Sequence, residues 1–179
     1  MSTHWIAGGA VLLCGTAAWC DLRYRKIPNA ITLPAVVVAL CLHGATHAGP
    51  GLLLSLAGML AAAAFVLPGY ALGFTGAGDV KLLAAVGALL AFPAAIFAAL
   101  LSLVFGGILS VLVSLWRRNL SSLLLYTLGM GRWLLIRSTG VPAPAPQRSA
   151  GGVPLGVAIA IATLVVVFSP WPVWPGVTR

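Results

Sequence analysis

Acidic residues are nearly missing from this chain. Its 179 residues include two carboxylate side chains, Asp21 and Asp79, and no glutamate. Charged residues make up 7% and hydrophobic residues 61%, against about 25% and about 45–50% in ordinary soluble domains. So few charges cannot cover a water-facing surface, and the chain reads as an integral membrane protein. Disorder, a nucleic-acid-binding module and a disulfide-stapled secreted domain are excluded. The three cysteines, Cys14, Cys20 and Cys41, lack CxxC spacing, so the sequence offers no zinc site or disulfide framework, and the expectation is free, buried thiols. No metal and no cofactor is expected.

Hydrophobic patterning gives a single membrane domain over residues 1–179, an all-α polytopic helix bundle of about six spans. They cover approximately 5–20, 30–42, 51–74, 80–92, 93–116 and 153–169. The second and fourth are short for a bilayer that asks for about 20 residues, and each has a re-entrant alternative. The N-terminus lacks the positive region of a cleaved signal peptide, so the first span is expected to be retained. Arg23, Arg25, Lys26, Lys81, Arg117, Arg118, Arg132, Arg137 and Arg148 fall on one side of six alternating spans, and only Arg179 on the other. The positive-inside rule then puts both termini outside. The segment 43–50 becomes an outer turn, and His4, His43 and His47 lie far from both acids.

Trp5, Trp171 and Trp174 suit the outer interface, and Trp19 and Trp116 the inner one. Gly58 with Ala62, and Ser102 with Gly106, have the small-xxx-small spacing that lets helices approach closely. Residues 119–150 differ in kind, mixing Leu with Arg132 and Arg137 before the Pro-rich VPAPAP. This connection reads as an amphipathic helix on the cytoplasmic surface followed by an extended linker; the alternative is a seventh, interrupted span.

With this topology Asp21 and Asp79, 58 positions apart, meet at one depth on one side. Carboxylates at membrane depth are costly and face a cavity or a partner. Asp79 ends Gly76-Ala77-Gly78-Asp79 and is followed by Val80-Lys81-Leu82-Leu83, the glycines permitting a turn or close backbone approach. Asp21 opens a basic loop that ends in Ile27-Pro28-Asn29. Two adjacent carboxyls share one proton, which leaves one ionised and able to take a proton from water and the other able to donate a hydrogen bond. The helix dipole favours charge on Asp79 at a helix start and the neutral form for Asp21 at a helix end, but Arg23 and Lys81 nearby can override it and the pair titrates as a unit, so the sequence leaves open which acid is the base.

At these residues the sequence resembles the type IV prepilin peptidases, intramembrane aspartic proteases of the Gly-x-Gly-Asp class. The likeness rests on Gly-x-Gly-Asp-Val-Lys-Leu-Leu, on the upstream Asp with Ile-Pro-Asn, and on Pro154-Leu155-Gly156, which is similar to the segment opening that family's last span. Presenilin-type enzymes share Gly-x-Gly-Asp but pair it with Tyr-Asp, where this chain has Cys20-Asp21. The resemblance implies Asp21 and Asp79 as catalytic residues, with Gly76, Gly78, Lys81, Arg23, Pro28, Asn29, Pro154 and Gly156 shaping the site.

It also implies a hydrolase that removes the short basic leader of prepilins or pseudopilins after a Gly, at the cytoplasmic face of a bacterial inner membrane. Its partners would be those substrates and membrane lipid. Without paired CxxC motifs the chain resembles the short form of tight-adherence (Flp-type) pilus systems, and methyltransferase activity is not expected. The competing classes are a structural subunit of a secretion machine and a proton-relay subunit. The relay would require a polar path from Asp79 outward, whereas spans three, four and six are almost wholly Ala, Val and Leu.

Overall fold

The structure, a computed structural model, describes residues 2–118, 120–136 and 154–169. Over these residues it is all-helical: α1 (Ser2–Tyr24), α2 (Asn29–Ala71), α3 (Ala77–Leu90), α4 (Ala94–Trp116), α5 (Leu120–Ile136) and α6 (Leu155–Phe168). Three helices are long and apolar enough to cross a membrane, Trp5–Tyr24, Asn29–Ala71 and Ala94–Trp116. The Pro-rich linker with Arg137 and Arg148, the start of the sixth span at Val153, and Trp171, Trp174 and Arg179 lie outside the described residues.

The chain reverses direction within 43–50, as expected, and the break is tighter than that segment. Helix persists through that segment and breaks only at His47 (φ −129°, ψ 15°) and Ala48 (φ 50°, ψ −140°). Pro50 supplies the cause, since its ring excludes the carbonyl of Thr46 and it has no N–H to donate. Gly51 is required just beyond, because a Cβ there would run into the His43 carbonyl. The second and third spans are therefore two arms of one folded helix.

Those arms clasp α3, which is buried from Leu82 to Leu90 except at Ala84. Over 82–90 its sequence is apolar or small all round, as expected of a segment covered by neighbouring helices. It touches α1, α2, α4 and α6. Asn29 and His43 of the first arm meet Lys81 and Leu89, so that arm runs parallel to α3. The second arm returns antiparallel, Ser55 meeting Ala88. Its closest approach is glycine against glycine: a Cβ on Gly58 would lie 2.5 Å from the Gly87 carbonyl oxygen, and one on Gly87 would lie 2.7 Å from Ala62 Cβ. Lipid supplies no hydrophobic drive to hold helices together, so such contact is the packing energy itself. The second small pair also lies at a helix contact, a Cβ on Gly106 meeting Leu155 of α6 at 2.9 Å.

At 14 residues, α3 and α6 each extend about 21 Å, short of the ~30 Å hydrocarbon core. A short helix leaves terminal backbone groups inside the bundle, and these must be paired. At the C-terminal end of α3, Ser55 Oγ donates to the Ala88 carbonyl (2.6 Å) and His43 Nε2 to that of Leu89 (3.0 Å). The Phe92 N–H donates to the Leu54 carbonyl at 3.0 Å. Buried His43 thus closes a helix end. The thiols are free as expected, but only Cys14 is buried; Cys20 is half-buried and Cys41 lies exposed on the bundle surface.

Gly87→Ala is expected to force α2 and α3 apart and lower stability by about 1–3 kcal/mol. Gly8→Ala, which would meet nothing within 4 Å, should not. Thermal unfolding of the detergent-solubilised chain checks both.

Candidate active site

Asp21 lies in the last turn of α1, and Asp79 in the first turn of α3. The helices run antiparallel, Gly9 of α1 lying against Leu89 at the far end of α3, so both acids come to one end of the bundle. Asp21 acts electrostatically on Asp79. Asp21 is buried, at 9% exposure, and Asp79 is half-buried.

Each carboxylate is held by a backbone amide at a helix start. Asp79 Oδ2 accepts from Gly76 N–H at 2.9 Å. This is the return half of a capping box; Gly76 has no side chain to give the other half. Asp21 Oδ2 accepts from Gly156 N–H at 2.7 Å, across 135 residues. Pro154 precedes α6 as its N-cap, so Gly156 is among the first-turn donors that have no partner within the helix.

Gly156 is also sterically required. A Cβ there would stand 2.8 Å from Asp21 Oδ2 and 3.0 Å from Asp21 Cβ. This arrangement overturns the dipole argument made from sequence. Asp21 ends its own helix, but its carboxylate sits on the N-terminus of another, so both acids occupy positive helix ends and the dipoles do not tell them apart.

The glycines around Asp79 have distinct surroundings. A Cβ on Gly76 would lie 3.3 Å from Asp79 Oδ2, and one on Gly78 would lie 3.3 Å from Ile27 Cβ. The close approach at Gly78 is thus to the α1–α2 connection of the same chain, and it draws the two acid-bearing elements together. Next to it Lys81 Nζ donates to Asn29 Oδ1 at 3.0 Å. Pro28 is the extended N-cap of α2 (φ −71°, ψ 139°) and sets Asn29 at that helix start.

Arg23 is exposed. Arg25 is the cation that acts on Asp21. Its left-handed backbone (φ 52°) at the end of α1 turns the chain there, and its amide donates to the Asp21 carbonyl at 2.9 Å. Sequence reasoning chose Arg23 because both lie in one basic run; a positive φ leaves little signal in a single sequence. Beside Asp21 a pocket is lined by Leu22, Arg25, Val113, Trp116, Arg117 and Pro154. Arg25, Arg117 and Pro154 bring three separate stretches of the chain to this acid. Among the described residues no group of three or more His, Cys, Asp or Glu could hold a metal ion.

Gly156→Ala is expected to displace the Asp21 carboxylate and cost about 1.5–3 kcal/mol, the worth of a hydrogen bond to a charged group. Gly107→Ala on α4 has open space and serves as the neutral control. Equal unfolding temperatures for the two variants would show that the Asp21–Gly156 contact carries no weight.

A family model described as the type IV leader peptidase family matches residues 9–111. No curated protein and no solved structure matches the chain.

Proposed function

The chain belongs to the type IV leader peptidase family, and on that premise we propose that it is an intramembrane aspartic endopeptidase cutting prepilins or pseudopilins after a leader-ending Gly. The observation that carries this is the convergence of the chain's only two side-chain acids, each fixed by a helix-start amide.

Asp21 and Asp79 form the catalytic pair and share one proton. The ionised carboxylate takes a proton from a water, whose oxygen attacks the scissile carbonyl carbon. The protonated partner donates a hydrogen bond to the carbonyl oxygen as charge develops there. When the C–N bond breaks, the proton taken from water passes to the departing nitrogen. Each acid keeps one oxygen anchored by an amide, which limits its motion and supports a preorganised pair.

Arg23, Arg25, Lys26, Lys81, Arg117 and Arg118 all sit at the acid-bearing end. That bias supports a cytoplasm-facing site in a bacterial inner membrane, where a basic leader would meet it. Lys81 with Asn29 and Gly78 with Ile27 support the geometry by holding α3 to the α1–α2 connection. Pro154 and Gly156 do so by presenting α6 to Asp21.

Co-expression with a Flp-type prepilin tests the proposal, read by the substrate's size shift and the mass of its new N-terminus. Asp21→Asn and Asp79→Asn should each lower cleavage by more than about 10³-fold while the protein still inserts in the membrane. Asn variants that process the prepilin like wild type would refute it.

A further inference from the structure

Asp79 is reached through a short connection whose form is set by α2. The helix ends in a Schellman motif. Gly73 takes the left-handed conformation (φ 77°), Phe74 N–H donates to the Gly69 carbonyl at 2.8 Å, and Gly73 N–H donates to that of Tyr70 at 3.0 Å. Thr75 then folds back on Gly69, its Oγ1 buried and without a hydrogen-bond partner. Gly76, the residue whose amide holds Asp79, follows at once. The connection is therefore a short hydrogen-bonded lead into the acid, and a contact that grips it bears on the position of α3's first turn.

One residue outside this connection grips it. Tyr126, midway along α5, donates from its hydroxyl to the Leu72 carbonyl at 3.2 Å. Its ring meets Phe74 edge-on, with centroids 5.2 Å apart and planes at 71°, the geometry preferred by an aromatic pair. The Leu72 carbonyl belongs to the helix end that the Schellman motif leaves partly unpaired. α5 lies outside the family match at 9–111.

We propose that Tyr126 is a positioning residue for the reaction, clasping the Leu72–Phe74 turn so that Asp79 is held at its distance from Asp21. The inference rests on the peptidase reading above. Tyr126 acts through the turn and not on substrate, so its loss should lower turnover and leave substrate binding alone. A displacement on the ångström scale is enough to slow a catalytic pair markedly.

Two measurements on the full-length chain test this. With a Flp-type prepilin in detergent, Tyr126→Ala should lower kcat about tenfold with KM within about twofold. Tyr126→Phe keeps the ring and should lose only about two- to threefold, the effect of one neutral hydrogen bond. Phe74→Leu, made from the other side of the contact, should match Tyr126→Ala and add little to it in the double variant.

The second measurement needs no substrate. With Cys14, Cys20 and Cys41 replaced by Ala, a Thr75→Cys thiol should label with a maleimide about fivefold faster when Tyr126 is Ala, the scale of a lost aromatic pair. Unchanged kcat and labelling overturn the clasp, as does a change confined to KM, which would put α5 in contact with substrate. A wild-type chain that leaves the prepilin whole overturns the peptidase reading instead, and the labelling rates alone then decide the clasp.

Discussion

A backbone amide or carbonyl left without a partner in apolar surroundings costs several kcal/mol, and the arrangement of this bundle follows from where its two shortest helices end. The C-terminal end of α3 and the start of α6 lie within the packed chain. At the C-terminal end of α3 the unpaired carbonyls are met by Ser55 and His43. At the helix starts the donors are met by carboxylates, Asp79 turning back on Gly76 within α3 and Asp21 reaching across from α1 to Gly156 of α6. The only two acids in the chain are thus spent on the same task, and meeting it brings them to one end of the molecule.

This dual use accounts for the distribution of small residues. Gly156 is small because a carboxylate lies against it, Gly78 because Ile27 does, and Gly58 and Gly87 because two backbones touch there. At exposed positions such as Gly8, Gly15 and Gly107 nothing lies within 4 Å, and no steric demand is visible. Position in the contact network, and not glycine content as such, distinguishes the two sets.

Much of this was legible in the sequence. Apolar runs and one-sided basic residues placed Asp21 and Asp79 at a common depth before any coordinates, because bilayer thickness and charge asymmetry act on composition alone. The pairs Gly58–Ala62 and Ser102–Gly106 were readable because close helix approach demands small residues at fixed spacing. The tightness of the turn after the first arm of α2 was not, since Pro50 and the glycines of 43–50 look the same in an open loop as in a sharp break between helices. Nor was the partner of Asp21 readable: a contact spanning 135 residues has no local signature, and the resemblance named Pro154 and Gly156 without saying what they touch. Arg25 was passed over for Arg23 because helix geometry at a terminus depends on one backbone angle.

The length of that contact has a consequence for biogenesis. A chain made from its N-terminus exposes Asp21 in the first helix, and the amide that holds it belongs to the last one described. Until α6 has entered the membrane and packed on α1 and α4, the Asp21 side of the pair lacks its anchor. The site as a whole is therefore finished only when translation of this region is nearly complete, and a stalled or shortened product ending before Leu155 would carry both acids without their assembled setting. Coupling the first helix to the last in this way makes completed insertion the condition for an organised acid-bearing end.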